Sequence, residues 1–594
     1  MKFPYGLSNF YELITEDYFY VDRTGHLPLI ENVGKHLLFL RPRRFGKSLW
    51  LSTLENYYDV AKATEFERLF GHLAIGQNPT PLHNHYLIMR WDFSLIKSYG
   101  TVAEIEHSLH AHINSRIRTL ANHYPTYLGD RIQIYADDAL SSLESVLSAL
   151  EQSPNPLYLL IDEYDNFANE VLMSTESSSR QRYEQLLYGE GAFRLIFKAV
   201  KAASSRSQLD RVFITGVSPI VLSDITSGYN IAENIYFEPA FNDLCGFREG
   251  EIADALQRII KDCHLPAEEL AAAQETMQAF YNGYAFSFST DQLIYNPTLA
   301  LYFLKAFQRN CEYPTPMLDS NLFMDQAKLA YIAHLQQGGQ FLLDVLNEEQ
   351  PVVIQELAQR FGLAEMVSNQ TDSSFMGSLL YYLGILTLAG RTPFQEVMLR
   401  IPNQVARRLY VERVEKLLLP NVADQNAGYQ AARTFFQTGH LQPLCDFVEQ
   451  RYFNVLDNRD YRWADEMTLK TIFLTLLFND NLYMIDSETP VERTYADLTL
   501  LVRPDLRHQP QLIDIVIEFK YIKITDKALA GVSLQQITST ALAALPPVQA
   551  KLQEAKTQLQ DYREKLTTHY QGSLRLRAYA IVALGFERIV WEEA

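Results

Sequence analysis

Cysteine is nearly absent: four residues in 594 (Cys245, Cys263, Cys311 and Cys445), none of them in a C-x-x-C pair. That scarcity argues against a disulfide framework and against a zinc ribbon, and it leads us to expect a reducing compartment. Long apolar runs are missing too. No stretch approaches the roughly 18 residues a membrane span needs, and the opening MKFPYGLSNFYELITEDYFY is too acidic and interrupted for a signal peptide. The expectation is a soluble, cytoplasmic protein with no membrane partner. Positive charge is in the minority, with 52 Lys and Arg against 71 Asp and Glu and a formal net charge of −19. Broad, non-specific nucleic-acid binding is mostly phosphate neutralisation, so this balance weighs against it. A local basic cleft remains compatible, because surface fields follow nearby charges and not the total. No internal repeat and no low-complexity tail is present.

What the chain does have is an ordinary globular composition, 47% hydrophobic and 21% charged, with 35 Tyr and 33 Phe to pack interiors. It is too long for one core. From 1 to 240, short apolar strands alternate with longer helical patterns, which predicts an α/β domain with a parallel sheet. The strands are His36–Leu40, Tyr86–Trp91, Leu157–Ile161, Arg211–Ile214 and Asn234–Phe237. A mostly helical segment, 241–315, is expected to form a lid. Residues 316–408 read as helices followed by a hairpin, a winged-helix-like module, and 409–455 as a helical linker. From 456 to 594 a helix, strands, a long helix at 548–567 and a final strand predict a second α/β domain. The Ala-rich stretch 528–550 reads as a helix-and-loop insertion.

Two stretches carry chemistry. In HLLFLRPRRFGKSLWLSTL (36–54) an apolar strand stops at a basic loop ending in Gly46-Lys47-Ser48, and a helical pattern follows. This is close to G-x-x-x-x-G-K-[ST], with Arg41 where the first glycine belongs. Such a loop works through backbone N–H groups and a helix N-terminus that face phosphates, with Lys47 adding charge and Ser48 a magnesium ligand. Pro42, with its fixed φ, offers another exit from the strand, and Arg41, Arg43 and Arg44 are expected to make the loop electropositive. The nucleotide is then expected on Arg44, Phe45, Gly46, Lys47, Ser48 and Leu49. The company of this loop raises its specificity. LYLLIDEYDNF delivers Asp162 and Glu163 to a strand end, where Asp162 holds magnesium and Glu163 polarises the attacking water. RVFITGVSPI is another buried strand, ending at Thr215, whose hydroxyl is placed to sense a γ-phosphate.

YFYVDRTG, RPRRFGKSLWLSTL, YLLIDEYD, VFITGVSPI, FNDLCGF, FYNGYAFS and YNPTLAL together resemble the bacterial AAA-ATPase-like family that often carries a C-terminal PD-(D/E)XK nuclease-like domain. The resemblance runs in order from residue 1 to about 305. It implies a P-loop sheet of the additional-strand type, with the RVFIT strand between the other two and Thr215 beside Lys47 and Asp162. ATP and Mg²⁺ are the implied cofactors.

The second stretch is QLIDIVIEFKYIK (511–523). Strand alternation sets Ile513, Ile515, Ile517 and Phe519 on a core face and Asp514, Val516, Glu518 and Lys520 on a face expected to be open. Asp497, in TYADLTLLV, precedes Glu518-x-Lys520 by about twenty residues, which is the PD-(D/E)XK arrangement. Two carboxylates hold Mg²⁺ (or Mn²⁺) against a scissile phosphate, and a lysine positions water or steadies the developing charge. Glu466, on a predicted helix, is a further candidate metal ligand. The resemblance adds Glu488, where relatives place a second acidic residue. The insertion after Lys520 departs from those relatives and is placed to cover the cleft.

The leading expectation is an ATP-driven switch coupled to a metal-dependent nuclease acting on DNA or RNA, with a protein partner or self-association as a further expectation. Its main alternative is a nucleotide-binding signalling or scaffold protein whose C-terminal domain binds without cutting. A third is an ATPase remodeller with a structural tail.

Overall fold

The computed structural model describes residues 1–166, 179–187, 191–206, 208–219, 231–318, 326–335, 337–347, 351–358, 372–453, 466–486, 496–523 and 534–594. Glu488 lies outside them. The chain divides into two compact units, each assembled from separated segments. One comprises Met1–Ala255, Asn282–Lys305 and Val353–Leu399. The other comprises Leu256–Tyr281, Ala306–Val352 and Arg400–Ala594.

In the first unit the predicted strands form one parallel sheet. β1 (His36–Leu40), β2 (Leu87–Asp92), β3 (Leu157–Asp162), β4 (Leu209–Gly216) and β5 (Glu233–Asn234) are ordered β2-β3-β4-β1-β5. The residues of β3 are buried throughout, as expected where helices cover both faces of a parallel sheet. Helices α1 (Lys47–Tyr58), α2 (Val102–His123) and α3 (Ala192–Ser204) pack on it. α2 starts with a capping box, in which Thr101 and Glu104 bond each other's backbone N–H, a local start signal independent of packing. β4 lies between β1 and β3, so the inserted strand sits where the family resemblance implied. β5 is shorter than its apolar pattern suggested. The chain leaves the sheet after Asn234, and the Tyr236 carbonyl is used by an arginine side chain instead of a strand neighbour.

Farther along are α4 (Glu249–Asp262) and α5 (Pro297–Asn310). A three-stranded sheet follows, ordered β6-β8-β7, from Val352–Ile354, Thr387–Arg391 and Val397–Arg400. α6 (Ser373–Tyr382) runs into its hairpin, the helix-then-hairpin pattern read within 316–408.

The second unit holds a mixed sheet ordered β13-β12-β11-β10-β9. Its strands are β9 (Tyr483–Asp486), β10 (Leu498–Val502), β11 (Asp514–Ile522), β12 (Leu576–Leu584) and β13 (Arg588–Glu593). β11 and β12 are parallel and the other pairs antiparallel. α7 (Glu466–Leu477) precedes β9, and α8 (Pro546–His569) forms the crossover between β11 and β12. The expected open face of β11 is not open. Val516 and Ile522 share a core with Val548, Leu552, Ala555 and Leu559 of α8, while Phe473 of α7 packs on Phe519 from the opposite side. A parallel β-α-β crossover forces this, because its helix must lie over the sheet it spans. In the described part of the Ala-rich stretch a 3-10 turn, Leu534–Gln536, and a short helix, Ser539–Ala543, lead into the start of α8.

Cysteine scarcity misled in one respect. Cys263, just past α4, and Cys311, just past α5, are bonded to each other, with Cα atoms 5.6 Å apart and a sequence separation of 48. Two helix ends that meet in space leave no mark in residue spacing. In the loop-entropy picture a 48-residue closure stabilises by at most about 4 kcal/mol. The double replacement Cys263→Ser/Cys311→Ser is expected to lower the melting temperature of oxidised protein and to leave that of dithiothreitol-treated protein nearly unchanged. Equal melting of wild type and variant under oxidising conditions would contradict the bond. Among the described residues, no helix is long and apolar enough to cross a membrane.

Candidate functional site

The phosphate-type loop leaves β1 at Arg41 and enters α1 at Gly46. Gly46 has φ +91°, a left-handed value that side chains resist, and a Cβ added there would meet nothing within 4 Å. The space above the helix start is therefore open to a ligand. Arg41 does not face it. Its guanidinium, 1% exposed, donates to the carbonyls of Leu40 (2.8 Å), Tyr236 (2.9 Å) and Phe241 (2.6 Å), and stacks on the Phe39 and Phe286 rings. Burial pulls its pKa down to about 10. The expectation that Arg41 makes the loop electropositive is corrected: it is an internal brace that stands in for the missing glycine. Phe45 is likewise anchored, edge-on to Tyr284 and Phe286 of the FYNGYAFS stretch. Thr298, at the start of α5, donates its hydroxyl to the Arg44 carbonyl (2.9 Å), and Arg43 donates to Asn166 Oδ1 (2.7 Å).

Lys47 is buried, and its Nζ donates to the carbonyls of Arg41 and Pro42, both at 2.9 Å. Burial lowers its pKa, while the carboxylates of Glu163, Asp162 and Asp165 act to hold its proton. The loop thus satisfies its own lysine until a stronger, anionic acceptor arrives. Asp162, at the end of β3, accepts from Thr215 Oγ1 on one oxygen (2.7 Å) and from Arg90 on the other (2.9 Å). The parallel register pairs Ile161 of β3 with Ile214 of β4, and one further step brings Thr215 to Asp162. Glu163 has φ +49°, a sparsely populated conformation for a side-chain-bearing residue, of the kind that collects at functional sites. Burial raises its pKa, opposed by Lys47 and Arg43.

A cavity of about 280 Å³ opens above the loop. Arg44, Phe45, Gly46, Lys47, Ser48, Leu49 and Glu163 all line it. Its other walls were not foreseen: Pro4, Gly6 and Leu7 from the N-terminus, Tyr20 and Val21, and Cys245 to Phe247. These make an apolar compartment next to the polar loop, which suits a base or sugar beside a phosphate chain. Arg23, at its edge, is spent on structure, donating to Glu251 (2.6 and 2.8 Å) and to the carbonyls of Asp243 and Gly246. Asp165 was also missed. Its buried carboxylate accepts the backbone N–H of Val217 and Ser218 and the Ser218 hydroxyl, fixing the turn after Thr215. Gly216 is required there, since a Cβ would lie 2.5 Å from the Tyr164 ring and 2.6 Å from Asp165.

In the second unit the antiparallel register pairs Leu498 with Ile517, and one further step sets Asp497 opposite Glu518. Asp497 Oδ2 accepts the Phe519 N–H (2.8 Å). Lys520 Nζ donates to Glu518 Oε1 (2.8 Å) and reaches Glu466 Oε1 at 3.5 Å. Asp497, Glu518, Lys520 and Glu466 therefore converge. Glu518 is 3% exposed and Lys520 5%. Burial, then the Asp497 carboxylate, pushes the Glu518 pKa up to about 7, against the pull of Lys520. Lys520 itself is raised, because its carboxylate neighbours outweigh its own burial. Glu518 Oε2 is buried without a hydrogen-bond partner. An orphaned carboxylate oxygen facing a second carboxylate is the donor chemistry a hard divalent cation wants. Among the described residues, however, no three His, Cys, Asp or Glu side chains form a ready metal cage.

Two family models match parts of the chain. Residues 4–226 match the AAA-ATPase-like family model, described as "Predicted AAA-ATPase". Residues 464–593 match a model of the PD-(D/E)XK nuclease superfamily. An "uncharacterized protein in vnfD 5′ region" of Azotobacter chroococcum mcd 1 is 27% identical over 313 residues, covering 51% of this chain and 52% of the relative. The chain thus spans about half the length of that curated relative. Among solved structures, a Walker-type ATPase of Pyrococcus abyssi aligns with a TM-score of 0.40 at 13% identity, over 66% of this chain and 96% of the other. The Aeropyrum pernix ORC1 protein, solved in complex with DNA, aligns with a TM-score of 0.26 at 11% identity, over 69% and 97%.

Proposed function

We propose that this chain, which joins an AAA-ATPase-like domain to a PD-(D/E)XK nuclease superfamily domain, is an ATP-dependent switch coupled to a metal-dependent nuclease. The observation that carries the first half is that Gly46, Lys47, Ser48 and Glu163 line one cavity. The residues fit ATP and Mg²⁺: open backbone at Gly46, an ammonium at Lys47, and hard oxygen donors at Ser48 and Asp162. When bound, the metal neutralises phosphate charge and orients the terminal group. The chain supplies the rest. Lys47 exchanges two neutral carbonyls for phosphate oxygens, a stronger charge-assisted partner. Thr215 keeps Asp162 aimed, and Glu163, its pKa raised by burial, takes a proton from water. The apolar walls exclude bulk water from the base.

Glu163→Gln separates binding from turnover. General bases contribute about 10²–10⁴-fold, so kcat for ATP is expected to fall about 100-fold or more, with Kd changed less than about threefold. Unchanged kcat would remove Glu163 from the role of base.

For the second half, Asp497 and Glu518 are the residues that would hold Mg²⁺ or Mn²⁺, with Glu466 at the margin, and Lys520 would steady charge on a scissile phosphate of DNA or RNA. A second reading, a nucleotide-binding scaffold whose nuclease-like domain binds without cutting, is favoured by one observation. Glu518 and Lys520 are buried and already paired, so a phosphate reaches them only after a rearrangement. ATP-driven coupling is what would supply it. Cleavage of labelled DNA and RNA with and without ATP tests both readings.

A further inference from the structure

We propose that Arg90 is a positioning residue that holds the Asp162 carboxylate in the nucleotide-free state and yields it to the metal ion. Arg90 is the one basic residue of the strand LIMRWD, which otherwise is apolar up to its terminal Asp92, and its role was not legible there. In the fold its guanidinium lies between two carboxylates. One nitrogen donates to Asp162 Oδ2 at 2.9 Å and another stands 3.6 Å from Glu55 Oε2, on the helix that the phosphate loop opens. Thr215 holds the other Asp162 oxygen, so both oxygens of this buried carboxylate are engaged.

A buried carboxylate needs a compensating cation, and losing it is costly. Arg90 is the cation hydrogen-bonded to Asp162 while no metal is bound, with Lys47 a more distant one. Its second carboxylate makes the exchange possible. When a divalent ion draws on Asp162, the guanidinium can shift its weight to Glu55 without becoming an unpaired charge. Arg90 thereby links the end of β3 to α1. Its charge also opposes the incoming ion, so the metal's contribution to nucleotide affinity is smaller than two free oxygens at Asp162 would give.

The inference rests on reading this pocket as an ATP–Mg²⁺ site. The measured quantity is the ratio of Kd for a non-hydrolysable ATP analogue in EDTA to its Kd in saturating Mg²⁺, by isothermal titration on the full chain. A wild-type protein that does not bind the analogue at all defeats the ATP reading itself. Given wild-type binding, Arg90→Gln is expected to raise the ratio about fivefold, because a like charge next to the metal has been removed. Arg90→Lys, which keeps the charge, should stay within about twofold of wild type. Glu55→Gln should move the ratio the other way, since Arg90 is then left to Asp162 alone. An Arg90→Gln protein that melts cooperatively and shows an unchanged or smaller ratio overturns the proposal. If Arg90→Gln does not fold, Glu55→Gln decides: a lowered ratio supports the exchange, and an unchanged one overturns it.

Discussion

Lys47→Ala is expected to weaken ATP binding about 10- to 100-fold, the scale of losing hydrogen bonds from a charged donor at roughly 1.5–3 kcal/mol. The free protein has little to lose in exchange. Its Lys47 hydrogen bonds go to two loop carbonyls, Arg41 and Pro42, which water can serve once the side chain is gone. The charge is also desolvated in the resting state, which is why its pKa is lowered. ATP would restore a partner for that charge, so the interaction is stronger in the complex than in the free loop. Lys47→Met separates charge from volume. It fills most of the same space, and its affinity loss should match that of Lys47→Ala. Isothermal titration giving equal ATP affinity for wild type and both variants would reject the nucleotide site. Thermal melts of the two variants should remain close to wild type, since no buried group is left without a partner that solvent can reach.

The contrast between Lys47 and Arg41 explains how far the sequence could be read. Lys47 sits in a local motif, a strand, a turn and a helix start, and local motifs are written in consecutive residues. The positions of Asp162, Glu163 and Thr215 were legible for the same reason, since each stands at or just past the end of an apolar strand. Arg41 is decided by partners about 200 residues away, the carbonyls of Tyr236 and Phe241, and by the Phe286 ring. No periodicity carries that information. The cavity walls at Pro4, Gly6 and Leu7 and the Arg90–Asp162 contact are likewise tertiary, and so is the meeting of Cys263 with Cys311. The face of β11 is instructive in another way. Alternation told correctly which residues share a side, but an amphipathic reading assumed that the polar side meets solvent. A parallel neighbour and its crossover helix cover that side, and Glu518 and Lys520 are tolerated there because they neutralise each other.

That pairing makes the C-terminal site the sharpest test of the whole reading. Asp497→Asn is expected to abolish nucleic-acid cleavage, by about 100-fold or more, while leaving the fold intact. The amide keeps an oxygen for the Phe519 N–H, which Asp497→Ala would orphan at a cost of about 1–3 kcal/mol. What the amide removes is one of two facing negative charges, and with it the reason for a cation to bind. Lys520→Met should also abolish cleavage, but with a different signature. It strands the Glu518 carboxylate in a buried site, so the protein should melt earlier, and added Mn²⁺ should restore part of the loss by taking the lysine's place. Asp497→Asn should show the reverse, a near-normal melt with no Mn²⁺-dependent shift. The experiment compares wild type and both variants with Mg²⁺ or Mn²⁺, with and without ATP, on labelled single- and double-stranded DNA and RNA. Cleavage that persists in both variants means a different catalytic site. If the wild type cuts none of these substrates under any condition yet still melts later with Mn²⁺, the metal site exists without a nuclease, and the binding scaffold becomes the function of this domain.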